Sequence, residues 1–347
     1  MTFQEFQTYF NPHFQKLLAK KTTSLEGVTA SKQNKFLLQH IEKLGKGGKR
    51  IRPYLVYLSY VSGGGKKKKD ILPYLLSIEL IHLFALIHDD VMDCAHVRRG
   101  VTTIHHAYYK KYCKPKDAIK DGESMAILAG DLVYAWAIEQ ALVVSSKSSQ
   151  NIKIHQSIVH MLEEVVIGQM IDITLIRNTK ATSSELQSKN HLKTASYTFI
   201  RPIEIGLLAS GNKKDLLRMK KAGSAFGEAF QIQDDYLDVM GDPKITKKEL
   251  CVDIAMGQPS LMSQFIFDTG TAKEKAILKK KFGKTLNEKD IVLLQNLFET
   301  SGAVTYAKNA WGDALRDAAT LIDKTTFNVQ KKKQWLALID LMKNRIS

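Results

Sequence analysis

The sequence predicts an all-α protein, and three observations carry that expectation. Segments rich in Ala, Leu, Lys and Ile recur between short polar breaks, a composition that favours helix. Only 7 prolines punctuate 347 residues. The short β-branched strands that an α/β protein would alternate with its helices are missing. An apolar fraction of 44% is ample for a sizeable core, and the length fits one large domain or two ordinary ones. No internal repeat of solenoid period is present.

The first ~45 residues read as one or two amphipathic helices. Gly45, Gly47 and Gly48 then break the pattern ahead of Lys49-Arg50-Ile51-Arg52-Pro53, and Pro53 suits the first turn of a new helix. That puts Lys49 and Arg52 at a helix N-terminus, where backbone N–H groups and the dipole favour anions. A Gly-rich basic loop alone is a weak signal. Next come Gly63-Gly64-Gly65, a lysine run at 66–69, and a long helix over 71–93 with Pro73 in its first turn. Further apolar helices are expected over 122–146, over 163–175 with Gly168-Gln169 and Asp172 inside it, from Lys193-Thr194-Ala195 through Leu208, and over 216–240. An isolated aspartate such as Asp172 in an apolar helix needs a partner. A polar loop at 241–252 carries Lys244, Lys247 and Lys248. The last ~90 residues read as four or so amphipathic helices of scaffold, lid support or oligomer surface.

Two aspartate clusters share one spacing: Asp89-Asp90-Val91-Met92-Asp93 and Asp234-Asp235-Tyr236-Leu237-Asp238. On a helix, positions i, i+1 and i+4 project from neighbouring parts of one surface, so each cluster sets carboxylates side by side. Burying like charges costs several kcal/mol unless something compensates. A hard cation such as Mg²⁺ compensates, because it takes oxygen ligands and shares them with substrate phosphates. One cluster alone is compatible with a solvated acidic face; two, each ending an apolar run, are hard to explain without metal. Arg98 and Arg99 follow the first cluster. They fit ion pairs, and they also fit a diphosphate, whose oxygens accept planar bidentate donors. Gln231 precedes Asp234 by one helical turn and shares its face.

The net charge of +16 fits solvated lysine runs, an anionic substrate or a membrane surface. No zinc spacing, aromatic-basic strip or recognition motif points to nucleic acid. Cys94, Cys113 and Cys251 form no metal or redox spacing and fit a reducing cytosol. No signal peptide is evident, and the most membrane-like stretch, 71–88, carries Glu79, His82 and His88 and reads as buried core. HExxH, GxSxG and a Walker lysine loop are all missing, so zinc hydrolysis, serine hydrolysis and P-loop phosphotransfer lack the residues to run them.

The chain resembles the trans-polyprenyl diphosphate synthases. The matching blocks are Gly47-Gly48-Lys49-Arg50-Ile51-Arg52-Pro53, Leu86-Ile87-His88-Asp89-Asp90-Val91-Met92-Asp93 with Arg98-Arg99-Gly100, Leu128-Ala129-Gly130-Asp131, Gly168-Gln169 with Asp172, Lys193-Thr194-Ala195, and Phe230-Gln231-Ile232-Gln233-Asp234-Asp235-Tyr236-Leu237-Asp238. They fall in the family order over roughly residues 30–260. The resemblance implies a helical bundle around a deep central cavity, usually as a homodimer; the chain is read as one domain over 1–347, and composition, cysteines and motifs add a cytoplasmic setting, at most peripheral membrane contact and no nucleic acid. It implies ionisation of an allylic diphosphate and attack on the carbocation by isopentenyl diphosphate.

The same resemblance assigns roles. Asp89, Asp93 and Asp234, joined by Asp172, would hold two or three Mg²⁺ ions. Arg98, Lys193 and Lys248 would grip the allylic diphosphate, with Thr194 and Gln231 near the developing cation. Lys49, Arg52, His82 and Arg99 match the isopentenyl diphosphate pocket. Phe84, five residues before Asp89, matches a chain-length floor and points to geranylgeranyl diphosphate, with farnesyl or longer products as the alternative. Departures stand at Lys247-Lys248-Glu249-Leu250-Cys251-Val252-Asp253, where bulky residues replace small ones, and at Gln258, where a second lysine is common. A class I terpene cyclase and a non-catalytic regulatory or binding subunit are the competing readings; the cyclase has no use for the Lys49–Arg52 block.

Overall fold

The computed structural model describes residues 1–113, 118–144, 148–179, 181–243 and 249–343. Among them the chain is helical almost throughout. The helices are α1 (Phe3–Glu26), α2 (Lys32–Lys46), α3 (Ile51–Ser62), α4 (Lys68–Met92), α5 (Ile104–Tyr112), α6 (Ala118–Leu142), α7 (Ser149–Leu175) and α8 (Ser183–Lys189). A π-helix (Asn190–Ile200) leads into α9 (Arg201–Ser210) and α10 (Leu216–Met240). Then come α11 (Val252–Met256), α12 (Leu261–Thr269), α13 (Ala272–Lys281), α14 (Glu288–Thr300), α15 (Ala303–Asp323) and α16 (Val329–Lys343). The last ~90 residues thus hold five helices, from Leu261–Thr269 to Val329–Lys343, against the four or so expected. The one sheet among the described residues is a two-stranded hairpin, β1 (Val97–Arg98) with β2 (Val101–Thr102).

The chain divides into two compact units, Met1–Tyr57 with Lys66–His155, and Leu58–Gly65 with the residues from Gln156 onward. In the first unit, α1 begins at a capping box in which Thr2 and Glu5 satisfy each other's backbone N–H groups. Its Phe6, Phe10, Phe14 and Leu18 recur every four residues, so they form one stripe, and all four are fully buried. Phe6 packs on Tyr54 and Tyr57 of α3, with ring centroids 5.4 Å away in each case. Burying a side chain of this size contributes about 1.5–3 kcal/mol.

Helix α4 is apolar on all sides because neighbours surround it; Leu75, Ile78, Leu80 and Ile81 are all fully buried. It packs on α6, where Ser77 Oγ donates to the Ala137 carbonyl at 2.8 Å. Among the described residues, Lys68–Met92 and Ile119–Leu142 are long and apolar enough to cross a membrane, and 61% of the first window is buried. The expectation that this stretch is core is met.

In the second unit α10 is central, packed by the π-helix and by α15. Phe226 of α10 stacks between Phe199 of the π-helix, at 5.9 Å, and Trp335 of α16, at 6.1 Å. Ile232, Tyr236 and Val239, on the same helix, enter a core shared with Met262, Leu294 and Phe298. This packing fixes which face of α10 is left to carry its aspartates.

Candidate active site

In the first unit, α4 delivers the first aspartate cluster at its C-terminal end, with Asp93 as the C-cap. Asp90 turns inward and is buried; Asp89 is half-buried and Asp93 exposed. Arg98 straddles the pair, donating through Nε to Asp90 Oδ1 and through Nη2 to Asp89 Oδ2 at 3.4 Å. Burial raises the Asp90 pKa to about 6, although Arg98 works against the shift. Asp90 Oδ2 is buried without a hydrogen-bond partner.

Arg99 sits at the tip of the hairpin. Arg99 and Gly100 have φ of 54° and 77°, the pair of positive values that a type I′ turn requires. The Gly-rich loop comes up against it: Gly48, at φ 122°, lies where a Cβ would be 2.6 Å from Arg99 Nη1. Any other residue at 48 would push this arginine away. Arg52 Nη1 donates to His82 Nε2 at 3.2 Å. Burial first, and then the charges of Arg52, Arg99, Arg98 and Arg50, hold His82 well below its ordinary pKa. His82 is therefore a neutral acceptor at pH 7, with its proton on Nδ1. Lys49 is exposed on the same loop. A small recess open to solvent has Gly47, Asp90, Arg98 and Arg99 in its wall beside Leu83 and Leu86. Phe84 lies one turn before His88, ring edge to face at 4.7 Å, and 5.3 Å from the ring of Tyr134 on α6.

In the second unit, Gly168 of α7 meets the π-helix so closely that a Cβ there would be 2.5 Å from the Lys193 backbone nitrogen. The close approach lets Asp172, one turn further along α7, ion-pair with Lys193 through Oδ2. Lys189 lies 3.3 Å from Oδ1 of the same carboxylate. Thr194 Oγ1 donates to Gln231 Oε1 at 2.7 Å, and Gln231 Nε2 donates to Asp235 Oδ1 at 2.8 Å. The π-helix turns Lys193 and Thr194 to these partners, and π-helical turns are concentrated at functional sites.

The three carboxylates of the second cluster are unequal. Asp235 is buried, and its second oxygen accepts from the Leu261 N–H at 3.1 Å. Asp238 accepts from the N–H groups of Val252, at 3.0 Å, and Asp253, at 3.2 Å, and so caps α11. Burial, then the charge of Asp253, raises Asp235 to about 7 and Asp238 to about 8. Asp234 is half-buried. Cys251, in the departing segment, is buried at φ 56°. Gln258 keeps its Oε1 buried without a hydrogen-bond partner. Lys248 lies outside the described residues.

The donor chemistry fits Mg²⁺. Asp89, Asp93, Asp172 and Asp234 offer carboxylate oxygens, the hard ligands this ion selects. Among the described residues no three acidic, His or Cys side chains converge on a point. Sequence reasoning singled out Arg52, His82, Arg98, Asp89, Asp172, Lys193, Thr194 and Gln231, which the structure pairs as Arg52 with His82, Arg98 with Asp89, Asp172 with Lys193, and Thr194 with Gln231. It missed four residues: Arg50 and Glu79, paired beneath the loop at 2.6 Å, Lys189 and Tyr134.

A family model described as polyprenyl synthetase matches residues 34–299. The chain is 32% identical over 273 residues to a short chain isoprenyl diphosphate synthase of Methanothermobacter thermautotrophicus, covering 78% of this chain and 79% of that protein. It is 30% identical over 267 residues to a geranylgeranyl diphosphate synthase of Methanosarcina mazei, covering 76% and 75%. Among solved structures, geranylgeranyl pyrophosphate synthase of Corynebacterium glutamicum, complexed with isoprenyl diphosphate and magnesium, superposes with a TM-score of 0.88 at 26% identity, covering 97% of this chain and 98% of that one.

Proposed function

The chain belongs to the polyprenyl synthetase family, and from that premise we propose that it condenses isopentenyl diphosphate with an allylic diphosphate to give geranylgeranyl diphosphate and pyrophosphate. That it is a prenyltransferase follows from the family, and its similarity to short-chain, geranylgeranyl and farnesyl diphosphate synthases supports short- to medium-chain products. One observation carries the rest. Each aspartate cluster turns one carboxylate inward, Asp90 in the first and Asp235 in the second, and leaves Asp89 and Asp93, and Asp234, at least partly exposed to solvent.

Asp89, Asp93 and Asp234, joined by Asp172, are the residues that would hold two or three Mg²⁺ ions. Bound there, Mg²⁺ supplies Lewis-acid neutralisation of the charge that builds on the leaving pyrophosphate. Arg98, Lys193 and Lys248 hold the allylic diphosphate by charge-assisted hydrogen bonds. Thr194 and Gln231 turn oxygen atoms toward the developing cation. Lys49, Arg52 and Arg99 bind the diphosphate of isopentenyl diphosphate without metal, and neutral His82 holds the Arg52 guanidinium in place. No covalent protein intermediate is needed, and the released pyrophosphate takes the final proton.

The product length rests on Phe84 and its Tyr134 neighbour, about 7–8 Å along α4 from Asp89 at ~1.5 Å per residue. A homodimer is supported by the exposed apolar residues Ile127, Leu128 and Tyr134 on α6, and Val166, Ile167 and Met170 on α7. The three free cysteines fit a cytosolic setting. Incubation with isopentenyl diphosphate and each allylic primer, with chromatography of the dephosphorylated products, tests the proposal. A twenty-carbon alcohol is expected; a cyclised hydrocarbon or no elongation refutes it.

A further inference from the structure

Lys189 ends α8 and is only 9% exposed. Its ammonium donates to the Pro259 carbonyl at 3.3 Å and lies 3.3 Å from Asp172 Oδ1, while Lys193 holds Oδ2. Both oxygens of one carboxylate thus rest against ammonium groups. Taking an ammonium out of water costs several kcal/mol, so a lysine at this depth is retained for its charge and not as packing. That charge also acts on Asp235, the neighbour of Asp234 in sequence.

We infer that Lys189 is a resident counter-cation of the acidic site, holding Asp172 in position before a divalent ion arrives and competing with that ion for Oδ1 once it does. Lys189 is a positioning residue: it is tied to a carboxylate and a carbonyl of the protein and acts on the ion through Asp172. The ion then binds more weakly when alone and depends more on the diphosphate oxygens that accompany it. The site would stay unloaded until substrate brings its own ligands. The inference rests on the reading of Asp172 and Asp234 as metal ligands.

Mn²⁺ titrated into the full chain without substrate, with the free ion read by electron paramagnetic resonance, tests it. K189M and K189Q should bind Mn²⁺ about tenfold tighter than the unsubstituted protein, and K189R within about twofold of it. In a D172N background K189M should have no further effect, because the contested oxygen has lost its charge. Thermal unfolding checks that each variant is folded, and K189Q serves if K189M is not. Unchanged or weaker Mn²⁺ binding in the folded neutral variants overturns the inference, as does tightening that persists with D172N. Mn²⁺ that fails to bind the unsubstituted chain, or binds D234A equally well, strikes the metal reading itself and removes the inference with it.

Discussion

Arg50 Nη1 donates to Glu79 Oε1 at 2.6 Å, with the two side chains 1% and 3% exposed. The same guanidinium donates to Asn11 Oδ1 at 2.9 Å and to the Gly45 carbonyl at 2.7 Å, and lies 4.9 Å from the centre of the Phe14 ring. One side chain therefore ties α1, the end of α2 and the middle of α4 together under the Gly-rich loop. Its own backbone is left-handed, with φ 61°. A buried ion pair is weak evidence for stability but fixes geometry where it is fully bonded. Here it sets the loop that leads into α3, from whose first turn Arg52 reaches His82.

Breaking that pair from either side leaves a charge buried without its partner. Arg50→Met or Glu79→Leu should each lower stability by about 3–5 kcal/mol, and the double variant by less than the sum. Urea unfolding of the four proteins measures this. Additive losses would show that the contact carries no coupling.

Arg52→Ala should raise KM for isopentenyl diphosphate far more than KM for the primer, because Arg52 belongs to the Gly-rich basic block assigned to isopentenyl diphosphate and not to the Arg98, Lys193 and Thr194 set assigned to the primer. Initial rates with each substrate varied in turn decide it. An equal effect on both would contradict separate pockets.

His82 sets a pH dependence whose sign can be worked out. Its pKa is lowered on folding, so below about pH 6.5 the unfolded chain binds a proton that the folded chain refuses. The His82 contribution to stability should therefore fall as the pH drops through about 6.5 and be flat above it, superimposed on the opposite trend of Asp90, Asp235 and Asp238, whose raised pKa values make the folded chain hold protons that the unfolded chain has lost. His82→Gln should remove that slope. Unfolding free energies from pH 5 to 8, compared between the two proteins, check it. Parallel curves would mean that His82 is solvated and ordinary.

The aspartate clusters, the Gly-rich loop and the helix of 216–240 were legible because their signals are local: a spacing, a break, a period. Lys189 was not. It sits in the polar run Ser183 to Lys189 and reads there as a solvated lysine; only the fold places it beside Asp172. The unequal fates of Asp234, Asp235 and Asp238 depend on backbone N–H groups of Leu261, Val252 and Asp253. Strands of two residues are too short to leave a pattern, so the hairpin that presents Arg99 was invisible. The π-helix over Asn190–Ile200 went unseen because a short apolar run does not distinguish its hydrogen-bond register from that of an α-helix.

Phe84→Ala should lengthen the products if the ring closes the path of the growing chain. Tyr134→Ala should do the same to a smaller degree, since Tyr134 backs Phe84 at 5.3 Å. Chain lengths read by chromatography test both. An unchanged distribution would put the stop elsewhere.

The central claim is prenyl transfer assisted by Mg²⁺ held at both aspartate clusters. Pyrophosphate release from isopentenyl and allylic diphosphates, followed as Mg²⁺ is titrated into the unsubstituted protein, Asp89→Ala and Asp234→Ala, tests it most directly. Release should require the ion and fall by about 10²–10³-fold or more in either variant while helical content is unchanged. Release that survives a chelator, or near-normal turnover in either variant, would contradict it.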